Sequence, residues 1–421
     1  MATQDRRHFM KAAAVGATAA VAGCMGGDDD GDDTFRYIFP SYFGTDAEDI
    51  VPMFEDEYDV EVSMESSPGE ATSTREYYVN QLVGQAGDFN VGNMDIIWPG
   101  EFAGNEWALE VEDPEGHTDN MLETPVEAVT IDDSLSAMPL HTDANALYYR
   151  HDKLEEYGYD DPPETYTELV DMAQDIIDQD DEIDTGYIWQ GGTNEGLTIM
   201  WFNWLWGMGG DVEEGDEIVV NSQEGYDALQ HAVDLIHEYE VTPESIPASD
   251  TSDNVEMYQQ GETLFMRNWP FAISEMEDSD IGGDYSVAEL PTHEDHPDAD
   301  NACLGGWSIF INAFAGNAEL AQDFATFMTS LEVQEHLARE HSRLPVREEV
   351  YEDEEIREEF EEMVMLEDIL DRTRARPTIE DYPALSEIIF TQANEALTQD
   401  KTPEEALDDA QDQIDDEINS D

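Results

Sequence analysis

The sequence predicts an α/β protein of two domains. Short apolar runs alternate with amphipathic stretches at helical spacing, the chain has 421 residues, and a hydrophobic fraction of 40% is enough for more than one core. One stretch organises the rest. Gly261 to Ala272 reads Gly-Glu-Thr-Leu-Phe-Met-Arg-Asn-Trp-Pro-Phe-Ala, an apolar run that ends in polar and aromatic residues. Such a run is a buried strand that delivers side chains at its carboxyl end, where open α/β sheets bind ligands. Arg267, Asn268, Trp269 and Phe271 are then the groups a polyhydroxylated ligand would use. An indole face stacks on a sugar ring, while amide and guanidinium groups take hydroxyls. A Trp packed in the core fits the same pattern.

Taken in order, Phe35 to Phe39 is expected as a strand, Asp46 to Tyr58 as a helix, and Val60, Val62 and Met64 alternate as a second strand. Glu76 to Val83 reads as a helix, and Met94-Asp95-Ile96-Ile97-Trp98 as a buried strand that Pro99-Gly100 ends. A carboxylate in such a run is costly unless paired. Asp95 is therefore either a ligand acceptor or a strand-end cap. Ala137 to Arg150 reads as one strand with a polar interruption at His141-Thr142-Asp143. After Pro162-Pro163 comes a helix opened by the capping box Thr165 to Glu168, with Leu169, Met172, Ala173, Ile176 and Ile177 at helical spacing. Trp201, Trp204, Leu205 and Met208 make a buried helical face, and Leu229, Ala232, Val233 and Ile236 another. Strands at Tyr285 to Leu290 and Leu304 to Ile311 follow, the second with Gly305 and Gly306 beside Trp307. Helices are expected at Leu320 to Met328, Glu354 to Leu366, Leu385 to Leu397, and from Thr402 onward.

Charge narrows the partners. Asp and Glu number 103 against 16 Lys and Arg, a net charge of −87, and the only lysines are Lys11, Lys153 and Lys401. Nucleic acid and anionic lipid surfaces are excluded as partners. The carboxylates lie on the polar faces of every segment rather than in one tail, and an aromatic content of 10% argues against disorder. This surface suits near-saturated salt, where the screening length is about 3 Å or less. The chain reads as the product of an extreme halophile.

The first residues read as an address. Arg6-Arg7, Phe9 and Lys11 precede an apolar run from Ala12 to Ala22, as in a twin-arginine export signal. Val21-Ala22-Gly23-Cys24 resembles a lipoprotein cleavage box, so lipid on Cys24 would anchor the mature chain to the extracellular face of the membrane. Residues 24–33 would be a flexible tether. With Cys24 lipidated, Cys303 has no partner for a disulfide and is expected as a buried apolar residue.

Enzyme signatures are missing: the sequence has no Walker loop, no Gly-Xaa-Ser-Xaa-Gly elbow and no His-Glu-Xaa-Xaa-His. Asp278, Asp280 and Glu289 imitate calcium-loop spacing, but Gly282 stands where a ligand is needed. No cofactor and no metal are expected.

Several stretches together resemble the family 1 extracellular solute-binding proteins of ABC importers, nearest to the trehalose/maltose-binding branch. They are Met94 to Trp98, Ala144 to Arg150, Trp189-Gln190-Gly191 with Glu195-Gly196-Leu197, Val233 to Tyr239, Phe265 to Pro270, Leu304 to Ile309, and Arg376-Pro377 with Tyr382 to Ile389. The resemblance implies a two-lobed periplasmic-binding-protein-like fold of type II, with a hinge and the ligand in the cleft. One lobe would hold residues 34–144 plus about 308–335, the other 145–307 plus about 336–421, after a signal peptide at 1–23. It implies Asp95 and Asp143 as acceptors of sugar hydroxyls, Trp269 and Trp307 on ring faces, and donation from the Gly305 and Gly306 amides and from Arg376. His141 stands where relatives carry Tyr, Phe271 replaces a Tyr, and Arg75 falls near a binding Arg. The implied partners are a trehalose- or maltose-type disaccharide and the transmembrane subunits of an ABC permease, with the protein itself a monomer and not an enzyme. Other sugars, such as glucose or a longer oligosaccharide, fit the same residues, and a secreted glycoside-active enzyme is the alternative of a different class.

Overall fold

The computed structural model describes residues 34–420 apart from 114, 115, 216, 278, 280, 361 and 380. The export signal, Cys24 with its tether, and the carboxylates Asp278 and Asp280 lie outside the described residues.

Two main sheets carry the architecture. The larger has seven strands, in the order Leu344–Pro345, Met138–Ala144, Leu304–Asn312, Val91–Asp95, Phe35–Pro40 and Val62–Ser67, with Ala108–Leu109 pairing off Leu304–Asn312. The smaller has four, in the order Ser286–Ala288, Ala146–Tyr149, Thr263–Asn268 and Thr185–Ile188. Phe35–Pro40 runs parallel to Val62–Ser67 and to Val91–Asp95, each link returning through a helix, Gly44–Tyr58 and Ala71–Leu82. Alternation sorts the first strand's side chains: Phe35, Tyr37 and Phe39 join one core with Phe54 and Phe324, while Ile38 joins another with Tyr78 and Phe310. Apolar residues thus cover both faces, as a mostly buried sheet requires. A third core surrounds the smaller sheet and includes Trp189, Trp201, Trp204 and Trp206.

Several element boundaries differ from expectation for local reasons. Ala137 to Arg150 is not one strand: Met138–Ala144 pairs in the larger sheet and Ala146–Tyr149 in the smaller. The change falls at Asn145, whose side chain donates to Asn203 Oδ1 at 2.7 Å and accepts from the Cys303 amide at 2.8 Å. The polar run His141-Thr142-Asp143 is regular strand. Ile96 and Ile97 lie beyond the strand that ends at Asp95, because the Asp95 carboxylate accepts the Ile97 amide at 3.2 Å and turns the chain. The helix at Ala71–Leu82 starts earlier than its apolar spacing suggests, since the Glu70 side chain accepts from the Thr72 and Ser73 amides. The acidic stretch 354–366 splits into Glu354–Glu359 and Met363–Leu370. A continuous helix at Leu331–His341, absent from the sequence expectation, spans the lobe boundary expected at 335–336, and Leu344–Pro345 after it still pairs in the larger sheet. Cys303 is buried and free.

Candidate functional site

Register assembles the site. In the larger sheet Trp307 lies opposite Asp95 on one side and His141 on the other, and Gly305 lies opposite Asp143. Asp95, Asp143, Gly305, Gly306 and Trp307 therefore share one cavity wall. Across from them, the chain leaving Thr263–Asn268 supplies Trp269 and Phe271, and the start of the helix Glu195–Gly207 supplies Asn194, Glu195 and Gly196. Arg376, Arg343 and Tyr42 complete the lining.

Two glycines are required where they stand. A Cβ on Gly305 would come within 2.7 Å of the Trp269 ring. Gly306 has φ +142°, and a Cβ there would meet the His141 carbonyl oxygen at 2.7 Å.

Arg267 and Asn268 are placed differently from the sequence expectation. Both are fully buried, and neither lines the cavity. Arg267 donates through Nη1 to Gln190 Oε1 at 2.8 Å and lies 4.4 Å from the Trp269 ring centroid, so it backs the indole. Burial pulls its pKa down to about 10. The Asn268 side chain accepts the Trp269 amide at 2.8 Å and donates to the Thr251 carbonyl at 3.2 Å. Both residues position Trp269 instead of reaching for a ligand.

The polar groups form a network with deliberate gaps. Glu195 Oε1 accepts from Arg376 Nη1 and from the Tyr382 hydroxyl, each at 2.7 Å, and Ser386 donates to Oε2. Arg376 also reaches the Leu304 carbonyl at 3.3 Å and lies 3.6 Å from Asp95. Burial, reinforced by Glu195 and Asp143 and opposed by Arg376, pushes Asp95 up to about 7. Two buried polar atoms on the wall have no hydrogen-bond partner: Asp143 Oδ1, an acceptor, and Arg376 Nε, a donor.

His141 sits behind the wall, its Nδ1 3.3 Å from Asp143 and its ring stacked on Phe43. Arg75 is also outside the cavity, held in a two-point pair with Glu101 at 2.6 and 2.7 Å. The sequence reading missed Tyr42, Glu70, Asn194, Glu195, Thr251 and Arg343 on the lining. Tyr42 carried a usable signal, an aromatic residue just past the carboxyl end of a strand, as Trp269 does. Arg343 carried none, because its partner Asp46 is 297 residues away.

Contacts already bridge the cleft. Tyr42 stacks on Phe271 with centroids 5.5 Å apart, and the Glu195 amide donates to Thr72 Oγ1 at 3.2 Å. These pairs join the surroundings of the larger sheet to those of the smaller, as in a two-lobed receptor whose lobes meet over a ligand.

The class so defined is a two-lobed ligand-capturing protein rather than an enzyme. The chain belongs to the bacterial extracellular solute-binding protein family, whose profile matches residues 30–335. A probable ABC transporter-binding protein of Deinococcus radiodurans is 31% identical over 356 residues, covering 82% of this chain and 84% of that one. Maltose-bound MalE3 of T. maritima superposes with a TM-score of 0.86 at 34% identity, covering 91% of this chain and 99% of that one. A solute-binding protein of Thermotoga lettingae bound with α-D-tagatose gives 0.83 at 25% identity, covering 91% and 98%. No helix among the described residues is long and apolar enough to cross a membrane.

Proposed function

We propose that this protein captures a trehalose- or maltose-type disaccharide between its two lobes and delivers it to an ABC permease. The observation that carries this reading is the pair of unsatisfied groups on the cavity wall. Asp143 Oδ1 needs a donor and Arg376 Nε needs an acceptor, within a cavity also lined by Tyr42, Trp269 and Trp307. A sugar hydroxyl both donates and accepts, and a sugar ring has apolar faces that suit indoles. An anion would meet Glu70, Asp95, Asp143 and Glu195, and an apolar ligand would leave the gaps unfilled. The maltose-bound relative at 34% identity supports the same substrate class.

In this reading Asp95 and Arg376 take hydroxyls together, Trp269 stacks, and the Gly305 and Gly306 amides approach the ligand closely. Closure follows because the bound sugar touches both lobes at once, which the open state cannot offer. The chain crosses between lobes at Asn145, near Cys303 and again after Pro345. Twin-arginine export and lipid on Cys24 would hold the receptor, as a monomer, at the outer face of a halophile's membrane. A longer oligosaccharide is the second reading. A groove of about 760 Å³ lined by Ile97, Pro99 and Ile379 shares Arg376 with the cavity and offers room for further sugar units.

The test is calorimetric titration of the mature protein in multimolar KCl with trehalose, maltose, maltotriose, sucrose and glucose. Tight binding of a disaccharide with no turnover supports the proposal, and preference for maltotriose selects the second reading. A folded protein that binds none of them overturns both.

A further inference from the structure

A second cluster of chemistry-bearing side chains lies on the larger sheet's side of the molecule, away from the cavity wall. Asp49 extends from the helix Gly44–Tyr58, and His336 and His341 from the helix Leu331–His341. Their ligand atoms all lie within 4.8 Å of one another. Asp49 Oδ2 is 3.1 Å from His341 Nε2 and 3.5 Å from His336 Nε2. A tetrahedral ion with bonds of about 2.0–2.1 Å sets its ligands about 3.3–3.4 Å apart, and both distances fall beside that edge. His336 Nε2 is screened from solvent yet has no hydrogen-bond partner. A ring nitrogen closed off from water and aimed at a carboxylate and a second imidazole is a free donor atom for a metal.

We propose that Asp49, His336 and His341 bind a divalent transition-metal ion of the zinc class, which joins the two helices. Two imidazoles and one carboxylate suit such an ion better than calcium or magnesium, which favour all-oxygen shells. On its other side His341 faces a second carboxylate, at ion-pair rather than hydrogen-bond distance. His341 Nδ1 faces Asp46 Oδ2 at 3.7 Å, and Asp46 is itself fixed by Arg343 at 2.7 and 3.1 Å. Asp49 is half exposed, so water has access to the fourth position.

The ion would act on the cleft through Arg343. That residue follows His341 by two positions, lines the cavity, and lies 5.2 Å from the Phe271 ring centroid. In brine, surface ion pairs are screened over about 3 Å, whereas inner-sphere coordination is not, which makes a metal clip an effective fastener there.

The experiment uses the full mature chain, stripped with chelator and held in multimolar KCl so that potassium occupies the diffuse atmosphere of the acidic surface. Zinc and cobalt are titrated by calorimetry and by the visible absorption of tetrahedral cobalt. One equivalent is expected to bind, with a rise in Tm, and magnesium is expected not to compete. His336→Gln and Asp49→Asn, both at partly exposed positions, should each lose at least about 100-fold in affinity while remaining folded. His293→Ala, at a half-buried histidine elsewhere, should bind as the parent does. Absence of saturable binding, or binding undiminished in His336→Gln and Asp49→Asn, overturns the proposal.

Discussion

Trp269 is held from three directions, with Arg267 under its ring, Asn268 on its amide and the Tyr148 hydroxyl donating to its carbonyl at 2.7 Å. Its backbone survives removal of the indole, so Trp269→Ala should cost ligand affinity far more than stability. A loss of about 1–3 kcal/mol, or roughly 5- to 150-fold in Kd, is expected by calorimetry, with the unfolding midpoint nearly unchanged. Asp95 makes a pH-dependent prediction. Its pKa, pushed up to about 7 by burial, exceeds the usual carboxylate value, so the folded state holds this proton more tightly than the unfolded chain. The resulting penalty on folding is absent below about pH 4, grows with pH, and is complete above about pH 7. Asp95→Asn should therefore gain stability relative to the parent between pH 4 and 8 in denaturant titrations. A difference that stays constant with pH contradicts this account. Asp95 and Trp269 were legible because each interrupts or ends an apolar strand run, whereas the roles of Asp143 and Trp307 were implied by the family resemblance. Glu195 was assigned no role, because its role comes from Arg376, Tyr382 and Ser386, all more than 180 residues away.

Among the elements, two helix starts were legible from a capping box. The capping boxes at Thr165–Glu168 and Thr402–Glu405 are both formed. Leu331–His341 was not predicted: Ser330 caps it and Val333, Leu337 and Ala338 share one helical face, but the segment is polar overall, so three apolar residues alone carry the pattern. Its value to the fold is tertiary. The turn after it delivers Arg343, which pairs with Asp46 at the start of Gly44–Tyr58, both side chains 2% exposed. Although burial works the other way, Arg343 holds Asp46 below the usual carboxylate range. Arg343→Ala leaves a buried carboxylate without its partner and should cost about 3–5 kcal/mol in denaturant unfolding. A loss under about 1 kcal/mol would mean that the pair does not fasten these elements.

For the molecule as a whole, alternation of apolar runs and helical spacing was sufficient to predict an α/β fold of two parts. It could not show that one apparent strand serves two sheets, because the switch at Asn145 depends on Asn203 and Cys303. Net charge −87 makes stability depend on salt. Lowering KCl from multimolar to about 0.15 M lengthens screening from about 3 to 8 Å, so Tm should fall steeply and sugar affinity with it. A Tm indifferent to salt would remove the halophilic reading. In the proposed function a sugar is held between the lobes by Asp95, Asp143 and Arg376 on one side and by the Trp269 platform opposite. The most direct measurement is a crystal structure of the protein grown with its tightest-binding sugar. The prediction is a ring on Trp269, with hydroxyls donating to Asp143 Oδ1 and accepting from Arg376 Nε. Sugar found elsewhere, with both atoms still unsatisfied, would contradict it.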